Sequence, residues 1–306
     1  MSSNFLDSLD LGLGCWQWGD RFYWGYGRAY AAADVRAAFS ASLAANVTFF
    51  DTAEVYGLGQ SERLLGRFIR ESGKPVIVAT KFFPFPWRWR KADLLNALRK
   101  SLERLGLKQT ALYQTHWPHP PVRIETWMDA MATAVEAGLA RAVGVSNYDV
   151  DQTRRAHAAL AKRGLRLASN QVPYSLLNRT VERSGLAAAC RELGIRIIAY
   201  SPIEKGVLSG KYTPENPPPG LRRGVYGRAY LAKVQPVIGL LREIGQAHGG
   251  KTPSQVALNW LIGKGALPIP GAKNARQARE NAGALGWRLT EDEARALEEA
   301  SERVSV

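Results

Sequence analysis

The sequence predicts one (β/α)8 TIM barrel, an α/β fold, and three observations carry that expectation. Short apolar runs rich in β-branched residues recur eight times along the 306 residues. Each is followed by a stretch whose apolar residues return at helical spacing. The whole chain, 1–306, also suits a single domain, because barrels of this kind run to about 250 residues or more. An open doubly wound sheet would need a Gly-x-Gly-x-x-Gly turn after its first strand. Gly12-Leu13-Gly14-Cys15-Trp16-Gln17 lacks the third glycine.

In chain order, strands are expected at 11–15, 47–50, 76–80, 111–115, 142–145, 168–172, 196–200 and 266–269. Helices are expected between them at 33–45, 60–71, 91–105, 122–138, 149–163 and 181–194. Two more, 231–248 and 252–263, follow the seventh strand, 273–283 follows the eighth, and 290–303 ends the fold. Asp93 and Thr290 are good helix starters, Thr290 with Glu293 three residues later as a capping box. Gly106, Gly138, Gly164 and Gly194 fall where a helix end wants a left-handed residue. The connection 204–230 holds Pro214, Pro217, Pro218, Pro219 and Gly220, so it cannot be regular throughout. A loop that long after the seventh strand is expected to be a lid on the C-terminal face.

Composition narrows the function classes. At 46% hydrophobic and 22% charged the chain reads as an ordinary globular protein. No apolar run approaches the roughly 20 residues that cross a bilayer. The start, Met-Ser-Ser-Asn-Phe-Leu-Asp-Ser, lacks the pattern of a secretion signal. Cys15 and Cys190 form neither a disulfide framework nor a metal-ligand spacing, so a reducing, cytoplasmic setting without a metal is expected. The net charge of +14 would suit nucleic acid only if basic residues clustered with stacking aromatics. They are scattered among Glu and Asp instead, apart from the short run Trp87-Arg88-Trp89-Arg90-Lys91. The positive field is better matched to a small polyphosphate ligand than to nucleic acid. A closed barrel has no free sheet edge, so a monomer is the neutral expectation.

Four polar residues then stand out at or just beyond the ends of consecutive strand runs: Asp51, Tyr56, Lys81 and His116. Residues there converge on the C-terminal face of a barrel, and these four types together make a proton-transfer site. The stretch Asp51-Thr52-Ala53-Glu54-Val55-Tyr56-Gly57 resembles the signature of the aldo-keto reductases. Lys81 and His116 sit where that family places its other two catalytic residues. The resemblance extends from Leu11 to Asn281 and is nearest to the branch that includes potassium-channel β-subunits and bacterial and plastid reductases. Tyr200-Ser201-Pro202-Ile203 and Ile269-Pro270-Gly271-Ala272-Lys273-Asn274, with Gln277, Glu280 and Asn281, carry that closer likeness.

The resemblance implies reduction of aldehydes or ketones with NADP(H). Tyr56 would be the proton donor; a free phenol has a pKa of about 10, which the Lys81 ammonium would lower. Asp51 would keep Lys81 charged, and His116 would orient the carbonyl. Ser146, Asn147 and Gln171 would hold the nicotinamide carboxamide, with Cys15, Trp16 and Asp51 nearby, and Tyr200 would stack on the ring. Ser201, Pro202, Ile203, Gly206 and Lys211 would wrap the pyrophosphate, and Gly271, Lys273, Gln277, Glu280 and Asn281 the adenosine half. Lys273 would face the 2′-phosphate, with Arg222, Arg223 or Arg228 from the long loop. Trp24, Tyr26, Trp87 and Trp117 are expected to wall the pocket for a small carbonyl substrate. The rival reading is a nucleotide-sensing accessory subunit with little turnover. Two features depart from the family: a very short lead-in before the first strand, and the aromatic loop 16–26.

Overall fold

The computed structural model describes residues 4–118, 120–220 and 222–304. Its strands are β1 (Gly12–Gly14), β2 (Phe49–Asp51), β3 (Ile77–Phe82), β4 (Thr110–Thr115), β5 (Ala140–Ser146), β6 (Leu167–Pro173), β7 (Arg196–Tyr200) and β8 (Leu267–Pro268). They pair in parallel in chain order. Gly14 bridges to Gly271, its N–H donating to the Pro270 carbonyl at 3.1 Å, which draws the last strand toward the first. The helices are α1 (Ala32–Ala44), α2 (Gln60–Ser72), α3 (Lys91–Leu105), α4 (Ile124–Glu136), α5 (Val150–Ala161), α6 (Thr180–Arg183) and α7 (Leu186–Leu193). Then come α8 (Arg222–Val225), α9 (Arg228–Ala247), α10 (Pro253–Gly263), α11 (Ala275–Ala282) and α12 (Glu291–Glu302). Packing of α11 against α1 continues the outer layer across the seam. The result is the (β/α)8 barrel expected from the sequence.

Strand parity decides where the chemistry lies, because successive side chains point to opposite faces. Phe50 and Val78 face outward and pack with Val35, Phe39, Leu65 and Phe68 of α1 and α2. Phe49, Ala79, Leu112, Ile198 and Leu267 face inward and fill the lower barrel. Two residues further along β2, β3 and β4 the same inward rows deliver Asp51, Lys81 and Gln114, all buried. The barrel lumen therefore changes from apolar to polar toward its C-terminal mouth.

The short lead-in still closes the barrel bottom. A 3₁₀ turn, Phe5–Ser8, buries Leu6 fully against the inward residues. The Asn4 side-chain amide donates to the Ala168 carbonyl at 2.7 Å and anchors it there.

Several boundaries differ from the sequence expectation. β3 runs on to Phe82, so Lys81 lies inside a strand rather than after it. Asp93 sits in the first turn of α3 and accepts from the Trp89 and Arg90 N–H groups, instead of preceding the helix. The helix expected at 181–194 divides into α6 and α7 because Gly185 takes φ 78°, which helical geometry excludes. Helix α9 begins three residues earlier than 231. The lead into it is ordered: a 3₁₀ segment, Glu204–Ser209, and α8 break up the long connection. Both cysteines are free and buried. Among the described residues, no helix is long and apolar enough to cross a membrane, and no cluster of His, Cys, Asp or Glu could hold a metal.

Candidate active site

Asp51 ends β2 and Lys81 lies near the end of β3, one parity step above the apolar plug. Their side chains pair directly, with Lys81 Nζ donating to Asp51 Oδ1. Lys81 Nζ also donates to the Thr52 carbonyl at 2.9 Å and to the Tyr56 hydroxyl at 3.3 Å. The other Asp51 oxygen accepts from Gln171 Nε2 at 2.8 Å and from Gln114 Nε2 at 3.2 Å. The carboxylate thus has both oxygens occupied and cannot rotate freely. The His116 ring stands edge-on to Tyr56, centroids 5.7 Å apart.

Burial sets the protonation states here. It pushes the Tyr56 phenol above its ordinary value, more than the neighbouring Lys81 ammonium lowers it. The expected net fall is therefore reversed, because a buried phenolate loses more solvation than one ammonium returns. Burial alone would lower Lys81, but Asp51 and Tyr56 raise it overall and keep it charged. His116 is drawn down to about 3, first by burial and then by Lys81, so its imidazole is neutral.

The mouth above these residues opens into a cleft of about 830 Å³. Tyr56, His116, Val55, Trp16 and Trp117 line one end. Along the cleft floor, Ser146 Oγ donates to the Gln171 carbonyl at 2.8 Å, and Tyr200 Oη donates to Asn147 Oδ1 at 3.0 Å. The far end is cationic, with Lys211, Arg222, Lys273 and Arg276 on its walls. Lys273 Nζ lies 4.5 Å from the Tyr30 ring centroid and 5.0 Å from that of Trp24. Burial, then Arg222 and Lys211, lower it to about 8, which marks a site short of negative charge. Asn274 caps α11 beside it, presenting a helix N-terminus to the same end. The buried Gln17 Oε1 and Trp24 Nε1 atoms of this cleft have no hydrogen-bond partner among the described residues. A Cβ at Gly271 would lie 2.3 Å from Gln17 Oε1, so any larger residue there would push the Gln17 side chain aside.

This geometry has close counterparts. The Aldo/keto reductase family profile matches residues 10–302. The chain belongs to this family. It is 43% identical over 304 residues to a chloroplastic pyridoxal reductase of Arabidopsis thaliana, covering 95% of this chain and 82% of that one. An NADP(+) aldo-keto reductase of Schizosaccharomyces pombe is 33% identical over 277 residues, 85% of this chain and 80% of that one. Among solved structures, an aldo/keto reductase of Klebsiella pneumoniae in complex with NADP and acetate superposes with TM-score 0.74 at 28% identity, covering 95% and 90%.

Against the expectations for an aldo-keto reductase, the fold gathers Asp51, Tyr56, Lys81 and His116 at one point. Trp16, Ser146, Asn147, Gln171, Tyr200, Ser201, Pro202, Ile203 and Gly206 also reach the cleft. So do Lys211, Gly271, Lys273, Gln277, Glu280 and Asn281. Cys15 does not: its side chain is buried in the core between β1 and the outer helices. Of the expected substrate wall, only Trp117 stands near the reactive end. Tyr26 packs edge-on against Tyr30 instead of lining the cleft, and Trp87 stacks on Phe85, mostly exposed. Trp24 lines the cleft at its cationic end, with the Arg222 guanidinium 5.5 Å from its ring. Of the three loop arginines, Arg222 is the one on the cleft wall. Sequence reasoning missed Gln114, Gln17 and Lys205. Only strand parity on β4 could have flagged Gln114; nothing in sequence marks the other two.

Proposed function

We propose that this protein reduces an aldehyde to an alcohol with NADPH, Tyr56 giving the proton. The observation that carries this reading is the Tyr56 hydroxyl at the mouth, 3.3 Å from a buried ammonium that Asp51 holds in place. The family and the NADP-bound Klebsiella relative support the cofactor. So does this chain's own cleft, in which, among the described residues, Lys273, Arg222 and Lys211 make no ion pair and two buried polar atoms lack hydrogen-bond partners. Lys273, Arg222 and Lys211 would hold phosphates, and Ser146, Asn147 and Gln171 a carboxamide over Tyr200. Bound NADPH supplies the hydride.

The chain's own groups do the rest. Neutral His116 hydrogen-bonds the carbonyl oxygen and directs it at Tyr56. Burial keeps Tyr56 a phenol until negative charge develops on that oxygen. The proton then passes from Tyr56, and the Lys81 ammonium stabilises the phenolate left behind. Asp51, clamped by Gln114 and Gln171, keeps Lys81 aimed and charged. Trp16 and Trp117 beside Tyr56 suit a flat aromatic aldehyde, and the plant relative's name makes pyridoxal the first substrate to test. The two free, buried thiols are compatible with a reducing, cytoplasmic compartment.

The test is pyridoxal and benzaldehyde reduction by wild type and Tyr56→Phe, with NADPH binding followed by tryptophan fluorescence. Loss of general acid catalysis should lower kcat about 10²–10⁴-fold while binding persists. Undiminished turnover in Tyr56→Phe would refute the assignment. Tight NADPH binding with no turnover over a broad carbonyl panel would favour an accessory, nucleotide-sensing role.

A further inference from the structure

Glu54 lies in the loop after β2, two residues before Tyr56. Its side chain is only 8% exposed. Oε1 accepts the Phe83 backbone N–H at 2.7 Å, and both carboxylate oxygens pair with the Arg88 guanidinium, the Nη2–Oε2 bond at 3.0 Å. Arg88 in turn donates to the Phe83 carbonyl at 2.8 Å and lies 5.0 Å from the Phe82 and Phe85 ring centroids. Phe85 stacks on Trp87. One carboxylate thus ties the loop bearing Tyr56 to the aromatic loop after β3.

The tie reaches the reactive groups. The Phe83 ring meets His116 edge-on at 5.6 Å, and His116 meets Tyr56 edge-on at 5.7 Å. Tyr56, Glu54, Phe83 and His116 therefore form a closed circuit through chain, hydrogen bond and two ring contacts. A largely buried ion pair of this kind contributes little net stability, because desolvation offsets its attraction, although removing one partner leaves the other's charge uncompensated. What a bidentate pair does supply is fixed geometry. No other described side chain bonds Glu54 to a second element, so the pair's effect is confined to this junction.

We propose that Glu54 and Arg88 are positioning residues for carbonyl reduction. Glu54 sets the distance between His116 and Tyr56 through Phe83, and Arg88, bonded to Glu54 and to the Phe83 carbonyl, fixes the start of the loop after β3, where the Phe83 ring meets His116. This proposal rests on the reductase reading above. Misplacement of reacting groups by about 1 Å can lower rates as much as 10²-fold, so Glu54→Ala should reduce kcat on the order of tenfold. NADPH affinity should stay within about twofold, since the pair lies outside the cofactor cleft walls.

Glu54→Gln retains an acceptor for Phe83 and should recover most of kcat. Arg88→Met keeps an acceptor on Phe83 but removes the bonds from Arg88 to Glu54 and the Phe83 carbonyl, so kcat for benzaldehyde should fall about two- to fivefold, less than in Glu54→Ala. Hydrogen exchange of the 83–90 amides should quicken in Glu54→Ala and Arg88→Met. Wild-type kcat and KM in Glu54→Ala would overturn the proposal, as would a parallel loss of NADPH binding or a Glu54→Gln variant as slow as Glu54→Ala. If Glu54→Ala does not fold, Arg88→Met decides: unchanged kcat with unchanged exchange overturns it. A wild-type chain without carbonyl turnover would sink the reductase reading instead, and the exchange measurement would still test the clamp.

Discussion

Lys273 is charged and crowded by charge in the same place. Burial, Arg222 and Lys211 hold it at about 8, against an ordinary 10.5. A 2′-phosphate would reverse that balance by giving three cations a shared anion. With Lys273 in the phosphate-binding role proposed above, the free protein above pH 8 would first have to take up a proton there to bind NADPH in its best form. NADPH affinity should therefore be flat near pH 7 and weaken above about 8 by up to tenfold per pH unit, the limit for uptake of one proton. NADH should show a shallower slope, and Lys273→Met should flatten the NADPH curve; an unchanged NADPH slope in that variant would refute the role. His116 makes the opposite case. Held neutral down to about pH 3, it should leave no inflection near 6.5 in the pH profile of kcat. Unfolded His titrates near 6.5 and so binds the extra proton between those two values. Stability thus falls as pH drops through that window, and His116→Gln should narrow the gap in urea midpoint between pH 7 and pH 4. Asp51 and Lys81 were legible because each stands at the end of an apolar strand run and Asp51 opens the stretch that resembles the family signature. Trp24 and Gln17 were not, since ring direction and packing against the distant Gly271 leave no local mark.

Elements show the same division. Strand identities and the order of helices followed from periodicity, but Gly185 split one helix, and the path of 204–230 came from partners distant in sequence. Arg222 there donates to the Lys205 carbonyl at 3.3 Å and to the Tyr212 hydroxyl at 3.0 Å, while Tyr226 Oη donates to Glu204 at 2.7 Å. These bonds hold the connection over the cleft, and proline content could announce only that it was irregular. Gly66 carries a sharper lesson about helix contacts. It lies in α2, where local propensity would favour Ala by about 0.5–1 kcal/mol. A Cβ there would meet the Leu105 backbone oxygen at 2.3 Å, at the end of α3. Backbone cannot move aside as a side chain can, so Gly66→Ala should destabilise by about 1–3 kcal/mol. A urea midpoint at or above wild type would show that the two helices separate freely.

At the scale of the whole molecule, the barrel keeps chemistry and stability at opposite ends. The inward rows run from Phe49, Ala79 and Leu112 to Asp51, Lys81 and Gln114 within two residues of each strand. Polar groups there are affordable only because each finds a partner in the lumen. The lower end relies mainly on packing, with Leu6 entering from the 3₁₀ turn as its stopper and Asn4 and Arg196 bonding backbone carbonyls there. That turn was not expected from sequence, since four residues carry too little periodicity to register. Leu6 is fully buried and no part of it reaches the cleft. Leu6→Ala should therefore lower stability by about 2–5 kcal/mol through lost burial and a cavity. Because strands β2 to β4 are hydrogen-bonded to their neighbours along their length, the vacancy should not propagate upward. NADPH affinity and kcat at 25 °C should match wild type while the urea midpoint falls. A variant whose stability and cofactor affinity fell together would show that the bottom plug sets the geometry of the mouth, and that the two ends are one mechanical unit.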